Sequence, residues 1–296
     1  MVVSATAALG AAFCWALGGM IAVEPARALG ALAFGRLRMA LVFLMVAALA
    51  TVTGGWASLS DAYALPLIVS GLVGIMAGDT ALFACLRRLG PRRTGVIFAT
   101  NAPMTVALGA WLLGEPLSSQ RLAGFGLITG GVVLAVLFGK GRKSLHDWES
   151  VRGPLWQGVL LGLAAALAQA GGVLLVKPVM AAGVDPFAAA AVRVGVAVTG
   201  LLLMALLPLA MVRAQAPLSW PMVVRTGLSG LTGMTIGMTL LLWALETGDA
   251  GLVATLAGTT PVLILPLLWW RTRERPGLGA WVGAALVVTG TALLFL

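Results

Sequence analysis

The chain has 296 residues, of which 60% are hydrophobic and 10% charged, and its formal net charge is +9. A soluble domain carries about a quarter charged residues, so this composition excludes a soluble globular protein. It indicates an integral membrane protein with the lipid bilayer as its main partner.

The apolar runs predict ten transmembrane helices, because they recur at lengths near the roughly 20 residues that a helix needs to cross the hydrocarbon. Such runs are too long for the alternating strands of a membrane barrel, so the predicted fold class is all-α. The first run has no Lys or Arg before it, and we interpret it as a span rather than a cleavable signal. The expected spans are residues 2–23, 30–50, 63–86, 92–113, 119–139, 155–177, 187–211, 220–245, 250–270 and 278–296.

One sizeable polar connection, residues 140–154, divides the chain into two halves of five spans, 1–139 and 155–296. Since each half has an odd number of spans, the second half must enter the membrane in the opposite orientation. This is the inverted-repeat plan of many secondary transporters, whose substrate site lies near the midplane. The matching segments are Glu24-Pro25 with Lys177-Pro178, Phe34-Gly-Arg36 with Ala191-Val-Arg193, Thr100-Asn-Ala-Pro103 with Thr259-Thr-Pro261, and Thr129-Gly130 with Thr289-Gly290.

Several motifs carry a resemblance to a known family. They are Phe13-Cys-Trp15-Ala-Leu-Gly18-Gly19 in the first span, the early arginines Arg36 and Arg193 of the second spans, and the segment from Pro103 to Gly114-Glu115. On these residues the chain resembles the ten-helix exporters of the drug/metabolite transporter superfamily, which are built from two EamA-type repeats. The second half departs from the pattern at Arg271-Thr-Arg-Glu274, where a Gly-Glu pair would be usual.

The resemblance implies a secondary transporter of the bacterial inner membrane that exports small polar metabolites by alternating access, with amino acids as the favoured substrates and no cofactor. The alternative is an efflux carrier for many drugs or cationic compounds. A membrane-embedded enzyme or scaffold has little support. The chain has only two cysteines, and its one histidine, His146, lies in the central loop, so no metal site or catalytic set is expected.

The basic residues mark the orientation of the spans rather than a nucleic-acid surface, because they cluster at span ends. Three arginines, Arg36, Arg38 and Arg193, lie within spans, and all other Lys and Arg except Arg121 and Lys177 lie at the span ends and loops expected on one face. The positive-inside rule places that face in the cytoplasm. We therefore expect both termini in the periplasm and no nucleic-acid partner.

Asp79 is the most informative residue, because a carboxylate within a span is costly and faces a partner or a watered cavity rather than lipid. Arg36 lies at a similar depth, roughly 9 Å against roughly 11 Å at 1.5 Å per residue, which predicts an Arg36–Asp79 ion pair. The pair is either a permanent contact or one that opens when substrate or a proton binds. A third reading leaves Asp79 solvated by itself while Arg36 reaches the interface.

The second half lacks a matching buried acid. There Arg193 corresponds to Arg36, and Met238 occupies the position that corresponds to Asp79. The acids expected nearest to Arg193 by depth are Glu246, Asp249 and Asp185. Any coupling to protons would therefore depend on one carboxylate rather than two.

The resemblance implies a binding pocket lined by the first, third and fourth spans of each half. Asn101 and Gln169 give the strongest signal, because hydrocarbon does not satisfy a buried amide, although contacts between helices explain each equally well. The GxxxG spacings in the fifth and tenth spans are typical of close helix packing and also offer a dimer face, so the expected state is a monomer or a homodimer. The predicted substrate-binding residues are Trp15, Met76, Asp79, Thr80, Asn101, Gln169, Thr239, Trp243 and Thr259, with Arg36 and Arg193 as the gating charges.

Overall fold

The computed structural model describes residues 2–138, 154–206, 214, 216–263, 266–267 and 277–295. Within these ranges the regular secondary structure is helical throughout, as the sequence predicts for an all-α membrane protein. The central loop before Pro154 and the segment from Arg271 to Glu274 lie outside the described residues.

The helices follow the same order in the two halves. The first half contains α1 (Val2–Leu29), α2 (Ala31–Val52), a 3₁₀ helix (Gly55–Ser58), α3 (Asp61–Ser70), a π-helical segment (Gly71–Ala77), α4 (Gly78–Phe98), α5 (Asn101–Leu113) and α6 (Ser119–Phe138). The second half contains α7 (Leu155–Ala181), α8 (Pro186–Ala205), α9 (Trp220–Gly230), a π-helical segment (Leu231–Ile236), α10 (Gly237–Thr247), α11 (Ala250–Ala257) and α12 (Leu278–Phe295). Each half thus has a π-helical segment in its third span, a feature found frequently at functional sites.

Eight helical segments among the described residues are long and apolar enough to cross a membrane. They are Val2–Ala22, Leu32–Val52, Asp61–Leu82, Val96–Leu113, Ser119–Phe138, Leu155–Ala181, Pro186–Ala205 and Trp220–Thr247. The ninth and tenth expected spans correspond to shorter apolar helices, Ala250–Leu263 and Leu278–Leu294. The multi-pass helical fold is confirmed, and within the described part of the chain eight of the ten expected spans reach full length.

The third and fourth spans are joined by helical backbone rather than by the loop that the sequence predicts. Helical geometry continues through α4, yet Cys85 Sγ lies 3.4 Å from Thr94 Oγ1, nine residues further on. A straight helix separates such residues by about 13 Å along its axis. The chain therefore reverses direction between Cys85 and Thr94, and the two spans run antiparallel as expected.

The two halves pack against each other through reciprocal sets of contacts. The first helix of each half, α1 or α7, packs along the interrupted third span of the other half. The corresponding helices α2 and α8, α5 and α11, and α6 and α12 also pack in pairs. Each contact of a helix in one half therefore has a counterpart made by the corresponding helix of the other half.

Two serine hydrogen bonds mark the central helix crossings. Ser70 Oγ donates to the Gly172 carbonyl at 2.8 Å, and Ser229 Oγ donates to the Gly18 carbonyl at 2.9 Å. A Cβ on Gly172 would lie 2.7 Å from Gly74 Cα, and one on Gly18 would lie 2.8 Å from the backbone of the other π-helical segment. Only glycine permits such close approach of two helices.

The glycines of α6 and α12 serve packing within one chain. Gly131 and Gly283 face each other's carbonyl groups, so the tenth-span glycines expected at a dimer face are covered by α6. By contrast, Gly126 and Gly130 of α6 lie on the outer surface, where a Cβ added to either would meet no atom within 4 Å. The close helix packing that the glycine spacing predicts is therefore confirmed for α12, whose Gly279 and Gly283 pack against α6.

Both ends of the described chain lie at one face of the bundle. Near the N-terminus, Ser4 Oγ is 2.8 Å from Thr247 Oγ1, and near the C-terminus the Leu293 carbonyl accepts from Gln120 Nε2 at 3.0 Å. Arg121, which follows Gln120, and Asp249, two residues after Thr247, form an ion pair at 2.6 Å, which brings the two contacts together. We call this side of the protein the termini face.

Candidate functional site

A cavity of about 290 Å³ lies between the two halves. Helices α1, α5, α6, α7, α10 and α11 all contribute to its wall, together with the end of α4. Among the described residues no acidic or basic side chain lines it, and apolar groups form most of its surface. The lining residues are Trp15, Phe98, Ala99, Asn101, Ala102, Ile128, Thr129, Val132, Gln169, Val173, Leu241, Ala254, Thr255, Ala257, Gly258, Thr260 and Pro261.

One helix of each half is broken beside this cavity, and the two breaks have the same geometry. Thr100 donates both its N–H (3.1 Å) and its hydroxyl (2.6 Å) to the Ile97 carbonyl. Thr259 does the same to the Leu256 carbonyl, at 3.1 and 2.7 Å. Each break is followed within three residues by a proline, which lacks the N–H that a continuous helix needs. The backbone turns at Thr100 and Thr259 therefore lie next to the cavity, and in the second half Thr260 Oγ1 donates to the Ala257 carbonyl at 2.9 Å.

Three of the predicted substrate-binding residues line the central cavity. Trp15 reaches it from α1, Asn101 from the first turn of α5, and Gln169 from the middle of α7. Asn101 Oδ1 also accepts a hydrogen bond of 3.4 Å from Thr105 Oγ1. The two amides supply polar groups to a wall that is otherwise mostly apolar, which is the usual composition of small-molecule sites.

Three other predicted residues lie at a separate, smaller cavity. Met76, Asp79 and Thr80 line a space of about 20 Å³ together with Phe34 and Arg38 of α2. This volume suits roughly one water molecule. Thr80 donates its hydroxyl to the Met76 carbonyl at 2.6 Å, so Asp79 and Arg38 carry the polar chemistry of the smaller cavity.

Arg38 lines the smaller cavity with Asp79, whereas Arg36 is not among the lining residues. Arg38 also lies over the Phe34 ring, 6.0 Å from its centroid, and its buried Nε has no hydrogen-bond partner among the described residues. Positions 36 and 38 differ by only about 3 Å in depth but by about 200° around the helix axis. Depth alone could not distinguish them.

Arg193 occupies the place in the second half that Arg38 has in the first. Arg193 Nη2 lies against Gly74 of the first π-helical segment, and Arg38 Nη2 lies against Gly233 of the second. Arg193 is 3% exposed, and its Nη1 donates to Met238 Sδ at 3.3 Å. Met238 therefore faces the second arginine, as the sequence correspondence with the carboxylate of the first half predicts.

The acids expected near Arg193 have other roles or positions. Asp249 pairs with Arg121 at 2.6 Å, and Asp185 Oδ1 accepts the Ala188 N–H at 2.9 Å at the start of α8. No ion pair of Arg193 with a carboxylate occurs among the described residues, since the described ion pairs involve other arginines. The expected neighbours lie at the termini face, whereas Arg193 sits deeper in α8.

The remaining predicted residues lie outside both cavities. Thr239 and Thr259 donate their hydroxyls to carbonyls of their own helices, which satisfies them locally. Trp243 is 46% exposed on the outer surface of α10. Thr259 still shapes the central cavity indirectly, because it stands at the break in the backbone.

The contribution of α6 to the central cavity was not predicted from the sequence. Ile128, Thr129 and Val132 form one wall of the central cavity, but the fifth span was not among the spans expected to line it. A signal was present, since Thr129-Gly130 recurs as Thr289-Gly290 in the second half. Arg38 was also missed as a site residue, although it lies two positions from the arginine that was chosen.

A multi-pass helical bundle in which broken helices surround an internal cavity has the form of a membrane transporter. The chain belongs to the EamA-like transporter family, whose model matches residues 3–137 and 156–296. One solved structure, titled only as the crystal structure of a protein, shares 18% identity with this chain and has a TM-score of 0.80, covering 98% of this chain and 96% of that chain. At this identity the likeness concerns the fold alone. No curated protein matches the chain.

Proposed function

We propose that the protein is a secondary transporter that exports small polar metabolites across the bacterial inner membrane, with amino acids as the favoured substrate class. The observation that carries this proposal is the central cavity at which helices of both halves break. Discontinuous helices at the interface of two halves are typical of substrate sites in secondary transporters.

The size of the central cavity favours a small substrate. Its volume of about 290 Å³ equals roughly ten water molecules at about 30 Å³ each. Drug-binding pockets extend from about 300 to 1,000 Å³, so the cavity lies at their lower limit. This supports a metabolite of amino-acid size over a large drug.

The chemistry of the lining favours a zwitterion. At a broken helix, N–H groups at the start of one segment suit a carboxylate, and carbonyls at the end of the other suit an ammonium group. Such a site binds both ends of an amino acid without a charged side chain. A cationic compound gains less, because the described lining residues include no carboxylate and Asp79 lies at the other cavity.

Alternating access would follow from the relation between the halves. The reciprocal contacts, the two family matches and the paired breaks support ten helices arranged as two inverted five-helix repeats, 1–139 and 155–296, joined by 140–154. Rocking one repeat against the other would open the cavity to each side in turn. The distribution of Lys and Arg supports a periplasmic termini face.

Transport by purified protein in liposomes tests the proposal. We expect saturable counterflow of at least one neutral amino acid, and no chemical change in the recovered solute. Gln169→Leu and Asn101→Leu should each raise the apparent KM, because a hydrogen bond is worth about 0.5–1.5 kcal/mol, or about two- to tenfold in affinity. Thr239→Val is the matched control and should leave KM unchanged.

Two outcomes would contradict this function. Flux of cationic dyes with no flux of any amino acid would favour the multidrug alternative. Formation of a new product from the added solute would indicate a membrane-embedded enzyme.

A further inference from the structure

Glu115, in the connection after α5, binds the start of a helix in the other half. Its Oε2 accepts the Gly251 N–H at 3.0 Å, and its Oε1 accepts the Ala250 N–H. These are the first two N–H groups of α11, which have no acceptor within that helix. A carboxylate at a helix start also interacts favourably with the helix dipole. One side chain of the first half therefore caps α11 twice.

Two glycines before Glu115 allow its carboxylate to reach the start of α11. Gly114 has φ 67°, in the left-handed region that glycine tolerates best. The chain then turns back, and Glu115 N–H donates to the Gly109 carbonyl at 3.2 Å. A Cβ on Gly109 would lie 2.6 Å from Glu115 Oε2. Both glycines are thus needed to bring the carboxylate over the end of α5.

Further contacts lie at the end of α10 and at the start of α11. Arg121 pairs with Asp249, the residue before α11, at 2.6 Å, and Lys177 Nζ donates to the Leu245 carbonyl at 2.7 Å. Together with the Ser4 contact to α10, these bonds hold the α10–α11 corner at the termini face. The opposite side of the bundle has a more exposed contact, an ion pair between Arg225 and Glu24. An ion pair so exposed contributes little.

The helix that Glu115 caps leads directly into the central cavity. Every residue of α11 is buried, and its last residues belong to the cavity wall. The capped end at Ala250 and the break at Gly258 are separated by about 12 Å along the helix. We propose that Glu115 is a positioning residue that holds α11 in place and closes the central cavity toward the termini face. This inference rests on the proposed alternating access, in which release of the two hydrogen bonds opens that face.

Thiol labelling tests the inference without any substrate. In a variant with Cys14→Ala and Cys85→Ser, Thr129→Cys places one reporter in the cavity wall. A membrane-impermeant maleimide is added from the termini face or from the opposite face of oriented proteoliposomes. Glu115→Ala should accelerate labelling from the termini face by about tenfold, equivalent to about 1.4 kcal/mol. Glu24→Ala is the matched control and should change neither rate.

The outcome separates a positioning role from a merely structural cap. Equal acceleration from both faces would mean general loosening of the bundle, and an unchanged rate from the termini face would mean that Glu115 does not close the cavity. Glu115→Gln keeps the shape and one acceptor, so it should fold and give an intermediate rate even if Glu115→Ala does not fold. If amino-acid flux is absent but the labelling shifts as expected, the substrate proposal fails and this inference stands.

Discussion

Replacing Asp79 by methionine gives the first half the arrangement that the second half already has. There, Arg193 is buried against the Met238 thioether with no carboxylate paired to it among the described residues. Arg38 lies in the corresponding place beside Asp79. The fold therefore contains its own example of an arginine accommodated by methionine, and Asp79→Met tests whether the carboxylate serves folding or transport.

Replacing Arg38 and replacing Asp79 should lower the free energy of unfolding by different amounts. Arg38→Gln leaves the Asp79 carboxylate within the span without the cation that lines the same cavity, although no ion pair joins the two side chains among the described residues. An uncompensated Asp at the centre of a span costs about 2.5–3.5 kcal/mol. Asp79→Met leaves Arg38 in an environment like that of Arg193, so we expect a cost of about 1 kcal/mol, typical of a single substitution. Combining Arg38→Gln with Asp79→Asn removes both charges and should recover most of the stability.

Thermal unfolding in detergent and liposome flux measure these effects. We expect Arg38→Gln to lower Tm clearly more than Asp79→Met, and Asp79→Met to fold but to transport poorly. Equal losses of Tm for the two variants would refute the correspondence between Arg38 and Arg193. Parental flux in Asp79→Met across the tested pH range would refute a role of the carboxylate in transport, including one in proton coupling.

Further predictions concern packing, the cavity wall and orientation. Gly172→Ala should destabilise the fold by about 1–3 kcal/mol, because its Cβ would lie 2.7 Å from a crossing helix. Gly126→Ala, with open space around it inside α6, should leave Tm unchanged or raise it, since alanine is the better helix former. Trp15→Leu should raise the apparent KM by about two- to tenfold through loss of an aromatic contact, while Trp243→Leu should not; equal effects would contradict the position of the cavity. A cytoplasm-only reporter fused after Leu296 should be inactive, and a bright one would reverse the predicted orientation.

Several residues of the candidate site could be predicted from the sequence, because the position of a residue within an apolar span indicates its depth in the membrane. Asn101, Gln169 and Trp15 were chosen as polar or aromatic residues near the middle of apolar spans, and they do line the central cavity. The correspondence of Met238 with Asp79 followed from the spacing between the halves, and Met238 does contact the arginine of the second half. The paired breaks lie at Thr100 and Thr259, which occupy corresponding positions in the two halves of the sequence.

The sequence by itself determined the class of protein, because the length and apolarity of a helix are local properties that the bilayer selects. Only the tertiary structure decided which arginine accompanies Asp79, that this carboxylate lies apart from the central cavity, and that Glu115 caps a helix of the other half. Position along the chain fixes the depth of a side chain. Its direction around the helix acquires meaning only when the neighbouring helices are in place, because the same depth is shared by residues that face a cavity, another helix or lipid.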